Sequence, residues 1–147
     1  QTCALPICFF TVYGPWGRPD MAPFLFLGSI LQGKKIKVFN NGNLSRDFSY
    51  IDDIVTGVVK VLEEEPKGKV YNIGNSSPVA LMDFISTIEK VAGKEAIKEF
   101  APMQQGDVYT TYASTKAMER DFGFRPNTPL LYGITQFYNW YKEFYNI

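Results

Sequence analysis

The chain contains no histidine. That absence excludes a catalytic triad built on imidazole, a histidine metal site and a histidine proton shuttle. Cysteine is nearly as scarce. Cys3 and Cys8 stand close together near the start, make no disulfide framework, and are not expected to act as catalytic thiols. No charge of one sign dominates, because 15 basic residues face 15 acidic ones. Bulk charge therefore draws the chain neither to nucleic acid nor to an anionic membrane. Long apolar runs are missing as well, the longest falling far short of the roughly 20 residues of a membrane helix. No basic segment precedes an apolar one at the start, so no signal peptide is expected and a cytoplasmic location is the default. What is present is a globular composition, 46% hydrophobic and 16% aromatic over 147 residues, enough for one domain with a sizeable core.

Strand and helix patterns alternate, which reads as α/β or α+β. Phe9 to Tyr13 (FFTVY) forms an apolar run of the buried-strand type, and Gly14-Pro15 feeds it into a loop, Trp16 to Asp20. Met21 to Gln32 has helical spacing at Phe24, Leu27 and Leu31, with Gly33 as a stop. Lys35 to Phe39 alternates basic and apolar residues as a half-buried strand does, and Asn40-Asn41-Gly42-Asn43 turns the chain. Arg46 to Ile51 is extended. Asp52 or Asp53 then caps a helix over Ile54 to Glu64, with Ile54, Val55, Val58, Val61 and Leu62 apolar and Pro66-Lys67-Gly68 ending it. Val70 to Ile73 and Ala96 to Phe100 read as strands around an amphipathic helix, Leu81 to Ala92, stopped by Gly93. Ser114 is expected to cap Lys116 to Phe122, and Pro129 to open a last helix striped by Leu130, Ile134, Phe137, Tyr141 and Phe144.

Five segments occur together in order: FFTVYGPWGRPDM (Phe9 to Met21), GKKIKVFNNGNLSRDFSYIDDIV (Gly33 to Val55), VYNIGNSSPV (Val70 to Val79), QQGDVYTTYA (Gln104 to Ala113) and GFRPNTPL (Gly123 to Leu130). The set resembles the carboxyl-terminal part of extended short-chain dehydrogenase/reductases acting on nucleotide sugars, and TVYGPWGRPDM is most similar to the UDP-glucuronate 4-epimerases. The resemblance implies an α/β fold: the last part of a Rossmann-type sheet with a smaller α+β substrate-binding lobe. It implies a bound NAD that takes a hydride from carbon 4 of the sugar and returns it to the other face. UDP-glucuronate decarboxylases and nucleotide-sugar 4,6-dehydratases share much of the pattern and stay open as alternatives, as does a non-catalytic UDP-sugar-binding module.

The family's Gly-rich NAD loop and Tyr-x-x-x-Lys pair have no counterpart in the expected context, so no catalytic residue is assigned here. Residues 1–8 are expected to be a non-native leader, because QTCALPI reads like the translation of a common sequencing-adapter oligonucleotide. Residues 9–147 are then the carboxyl-terminal portion, and the amino-terminal half that binds NAD is expected to be absent. The resemblance further implies a homodimer for the full-length enzyme. A 4-keto glucuronate is a β-keto acid that loses carbon dioxide easily, so its carboxylate must be gripped; Thr11 and Arg18 match that role, and guanidinium geometry suits it. Arg46 matches a contact to the UDP diphosphate, Phe39 the uracil, and Asp107 the ribose hydroxyls. The residues toward NAD are left unassigned, with Phe10 and Thr11 as candidates. Gln104 stands where galactose-type epimerases carry an arginine, which argues against a UDP-galactose substrate.

Overall fold

The computed structural model describes residues 7–64 and 70–147. Cys3 and the stop at residues 66–68 lie outside that range. The Phe9–Tyr13 run is not one strand. It divides at Phe10 into β1 (Ile7–Phe9) and β2 (Thr11–Tyr13), and the two halves pair with different partners. β1 runs parallel to β6 (Tyr71–Ile73), with Ile7 opposite Tyr71. β2 runs parallel to β5 (Phe48–Tyr50), with Thr11 opposite Phe48. Burial is correspondingly less than the apolar composition suggests: Phe9 is exposed, Phe10, Thr11 and Val12 are half-buried, and only Tyr13 is fully inside. Gly14 ends β2 at φ 135°, where a β-carbon would strike Ile51 at 2.6 Å; only glycine turns the chain there.

The loop to Asp20 leads into α1 (Ala22–Leu31), whose early Pro23 presets the first turn. Its buried side chains, Phe24, Phe26, Leu27 and Ile30, wrap more of the helix than the expected stripe, because α1 is apolar nearly all round. β3 (Lys35–Val38) alternates exposed and buried residues as expected and pairs in parallel with β8 (Ile97–Phe100). A 3₁₀ turn, Phe39–Gly42, follows, with Asn40 and Asn41 both at φ 50°, a conformation asparagine tolerates. β4 (Ser45–Arg46) pairs antiparallel with β7 (Val79–Ala80).

Three helix starts differ from expectation. α2 (Ile51–Glu63) begins ahead of both aspartates, so neither caps it. Asp52 and Asp53 sit in its first turn, where the helix dipole favours carboxylates, and Asp53 accepts a hydrogen bond from the Thr128 N–H at 3.0 Å. The buried face of α2 is Ile54, Gly57 and Val61, leaving Val55 and Leu62 exposed. α4 (Lys116–Phe122) is preceded by Thr115 rather than Ser114, and the Thr115 hydroxyl donates to Glu119 at 3.0 Å. α5 (Leu130–Tyr145) starts one residue after Pro129. α3 (Leu81–Ala92) matches expectation, ending at Gly93 with φ 64°.

Two hydrophobic clusters result. The larger joins β2, α1, β3, β5, α3 and α5 through residues such as Tyr13, Leu27, Val38, Phe48, Phe84 and Phe137. The smaller joins α2, β6 and α4 through Ile54, Val61, Tyr71, Ile73, Met118 and Phe122. Among the described residues no helix is long and apolar enough to cross a membrane.

Candidate functional site

A cavity of about 730 Å³ opens where β2, α1, β3 and β4 converge. Its apolar wall comes from Leu25, Phe26, Ile36, Phe39, Leu44, Phe48 and Leu81. Thr11 adds a hydroxyl at one end, and Lys35, Lys37, Arg46, Asp20 and Asp107 supply charge. Four of the expected site residues, Thr11, Phe39, Arg46 and Asp107, therefore share one space despite lying up to 96 positions apart in the chain. An apolar slot beside a guanidinium and hydroxyls suits a ligand with a flat base and an anionic group.

Arg46 owes its position to the segment that reaches across β4. The Ser45 N–H donates to the Tyr109 carbonyl at 2.8 Å, and the Thr111 N–H donates to the Ser45 carbonyl at 3.2 Å. These bonds lay the irregular 102–112 stretch alongside Arg46. Its Nη2 then donates to Asp107 Oδ1 at 2.6 Å, and its Nη1 to the carbonyls of Ser45 at 2.8 Å and Tyr109 at 3.3 Å. The pair is mostly shielded, with side chains 17% and 29% exposed, so the guanidinium is held to one geometry.

Asp47, next in the chain, is a residue the sequence reading passed over. It is completely buried. Its Oδ1 accepts from the Asn75 N–H at 2.9 Å and its Oδ2 from the Ala113 N–H at 2.8 Å. Its own N–H donates to Thr111 Oγ1 at 3.1 Å, and its carbonyl accepts from the Thr11 N–H at 3.2 Å. One residue thus ties β2, the turn after β6 and the stretch after Thr111 to β4, and so sets Thr11 and Arg46 relative to each other. Lys35, Lys37 and Asp20 were likewise not singled out from the sequence. The exposed alternation of β3 was the available signal for the two lysines.

Arg18 and Phe10 are not among the wall residues. The Arg18 side chain is 73% exposed and grips Asp20 with both arms of its fork, Nε to Oδ1 at 3.1 Å and Nη2 to Oδ2 at 2.5 Å. The hydrogen bond from Arg18 holds the Asp20 carboxyl below the usual carboxylate range. Asp20 itself lines the cavity, and Arg18 touches that wall through the Asp20 carboxylate. Phe10 packs over Gly74, at the break between β1 and β2. Tyr13 lies deeper, and burial, with Tyr50 and Asp53 adding to it, pushes its phenol far up, so it stays protonated.

A dinucleotide is held where a G-x-G-x-x-G turn meets a helix amino terminus. Met21, Tyr50, Ala80, Thr115 and Pro129 precede the five described helices, and no such turn stands before any of them. Two tyrosines do have a lysine four positions on. Tyr138 and Lys142 face each other on α5, the ammonium 5.4 Å over the ring, beside a separate hollow of about 210 Å³. Tyr112, paired in spacing with Lys116, is exposed and outside the cavity wall. Among the described residues no cluster of carboxylates and cysteines is arranged to hold a metal ion.

Comparison with known proteins follows the same lines. The NAD dependent epimerase/dehydratase family pattern matches residues 1–74. A probable UDP-glucuronate 4-epimerase of Rhizobium meliloti is 41% identical over 93% of this chain and 46% of its own length. UDP-glucuronate 4-epimerase 2 of Arabidopsis thaliana is also 41% identical, over 93% of this chain and 36% of its own. The crystal structure of UDP-glucuronic acid 4-epimerase from Bacillus cereus, in complex with UDP-glucuronic acid and NAD, superposes with a TM-score of 0.89 at 35% identity. That match covers 95% of this chain and 45% of that one. The chain spans less than half the length of each of these relatives. The α/β expectation holds, and the chain belongs to the NAD dependent epimerase/dehydratase family.

Proposed function

We propose that residues 9–147 are the carboxyl-terminal, substrate-side portion of a longer enzyme that interconverts UDP-glucuronate and UDP-galacturonate at carbon 4. NAD, held by the rest of that enzyme, supplies the hydride chemistry. The observation that carries the reading is the convergence of Thr11, Phe39, Arg46 and Asp107 on one cavity. Uracil lies along Phe39 and the apolar wall. Arg46 serves the diphosphate, its fork preset by Asp107, and Asp107 accepts from the ribose hydroxyls. Thr11 and Arg18 hold the hexuronate carboxylate.

That last pairing decides between outcomes. The 4-keto hexuronate loses carbon dioxide when its carboxylate bond aligns with the carbonyl, so an epimerase must hold the carboxylate away from that alignment. Arg18 is already bidentate to a carboxylate, that of Asp20. Exchanging Asp20 for the substrate keeps the same fork geometry. Product analysis by NMR tests the reading: the full-length enzyme with UDP-glucuronate yields UDP-galacturonate. A UDP-pentose or a 6-deoxy-4-keto sugar overturns it in favour of a decarboxylase or dehydratase. Binding of UDP without turnover overturns it in favour of a non-catalytic module.

A further inference from the structure

The loop between β2 and α1 carries strained backbone at a residue that the reaction does not use. Trp16 sits at φ 60°, the left-handed region that a bulky side chain avoids unless its surroundings hold it there. Burial does not hold it, since Trp16 is 75% exposed. Ring contacts do. The indole lies 5.2 Å from Trp140 and 5.2 Å, edge-on, from Phe144, both near the end of α5. Trp140 stacks on Phe144 at 5.1 Å and on the fully buried Phe137 at 6.2 Å. Phe137 in turn lies 4.9 Å from Phe24 of α1. The next loop residue, Gly17, rests on the same Phe24: a β-carbon there would come within 3.1 Å of the ring. A ladder of rings thus runs from the core to an exposed indole two residues before Arg18.

We propose that Trp16 is the positioning residue for Arg18: docked on Trp140 and Phe144, it latches the 14–20 loop to α5 and so presents the guanidinium to a substrate carboxylate. Contact with the rings offsets the strain at φ 60°, and losing the contact frees the loop. The inference rests on the reading of Arg18 as the carboxylate grip.

The test uses the full-length enzyme with Trp16→Ala, Trp16→Phe, Arg18→Ala and the Trp16→Ala/Arg18→Ala pair. Kinetics with UDP-glucuronate, inhibition by UDP, and hydrogen exchange of the loop amides are measured. Trp16→Ala is expected to speed exchange across residues 14–20 and to raise KM about tenfold, the scale of a lost aromatic contact, with UDP inhibition unchanged. Trp16→Phe, which keeps a ring, recovers most of the loss. In the Arg18→Ala background, Trp16→Ala adds nothing to KM. Unchanged exchange in Trp16→Ala overturns the latch, as does a KM that rises together with the UDP inhibition constant. An equal penalty from Trp16→Ala with and without Arg18 also overturns it. If Arg18→Ala alone leaves KM unchanged, the proposal falls through its premise, and that single result identifies the carboxylate reading as what failed.

Discussion

Replacing Asp47 with alanine removes the acceptor for two backbone N–H groups, those of Asn75 and Ala113. A buried donor left without a partner costs about 1–3 kcal/mol. The two losses are unequal. The Asn75 N–H also reaches Ser49 Oγ at 3.0 Å and keeps that bond. Ala113 is fully buried and its N–H loses Oδ2, so its penalty falls at the upper end. Removing a buried charge returns part of its desolvation cost. The sum is about 3 kcal/mol of destabilisation for Asp47→Ala, read as a fall in the urea midpoint of the full-length protein. Ser49→Ala alone costs at most about 1 kcal/mol, because Asp47 still accepts from Asn75. In the Asp47→Ala background the same change orphans the Asn75 N–H, and its cost rises by about 1 kcal/mol. A double-mutant cycle measures that coupling. Asp47→Ala within about 0.5 kcal/mol of the parent, the range of an ordinary surface change, would refute the argument, and so would strict additivity with Ser49→Ala.

Other consequences are open to direct measurement. Arg46→Ala is expected to weaken UDP binding about ten- to a hundredfold by calorimetry, with Arg46→Lys recovering little, because a lysine cannot reproduce the fork toward Asp107 and a phosphate together. Gly133→Ala pushes a β-carbon into the Tyr13 hydroxyl and ring and should cost about 1–3 kcal/mol, read by chemical denaturation. Gly28→Ala meets only the tip of Tyr141, at 2.8 Å, and should come out within about 1 kcal/mol of neutral, its better helix propensity offsetting the small shift. Burial raises the Glu89 carboxyl, but the Lys98 ammonium at 2.5 Å and the Ala96 N–H at 2.8 Å outweigh it, and the net shift is downward. Its contribution to stability is therefore present above the ordinary glutamate value of about 4.3 and lost as pH falls below it. Glu89→Gln should flatten the urea midpoint against pH in that acid range.

The elements whose signals are local were legible in the sequence. β3 shows its alternation, α3 its stripe and its glycine stop, and both lie where periodicity puts them. Helix starts were less legible because tertiary partners decide them. Asp53 looks like a cap in isolation, yet it accepts from Thr128, 75 residues away. Val55 and Leu62 fit an apolar face, yet α2 turns Gly57 to Ile73 and leaves them exposed. The site divides in the same way. Motif resemblance singled out Thr11, Phe39, Arg46 and Asp107, which do share a cavity. Asp47 escaped notice because what defines it, two donors 28 and 66 residues further on, leaves no pattern around position 47. Arg18, which the resemblance assigns to the substrate carboxylate, holds the carboxylate of Asp20 two residues on, a pairing the motif does not announce.

The division of the Phe9–Tyr13 run bears on how the chain assembles. Its two halves must find partners at different sequence distances: Thr11 meets Phe48 across 37 residues, and Phe9 meets Ile73 across 64. Closing the longer loop costs only about 0.5 kcal/mol more, but both pairings are parallel and non-local, the slow kind. The β2–β5 half can close as soon as residue 50 is available, while the β1 half must wait for β6. Thr11 and the strand that follows Arg46 would then be in register before the smaller cluster forms. Folding order, on this account, places the ligand-facing half of the strand first and docks α2 and α4 around it afterwards.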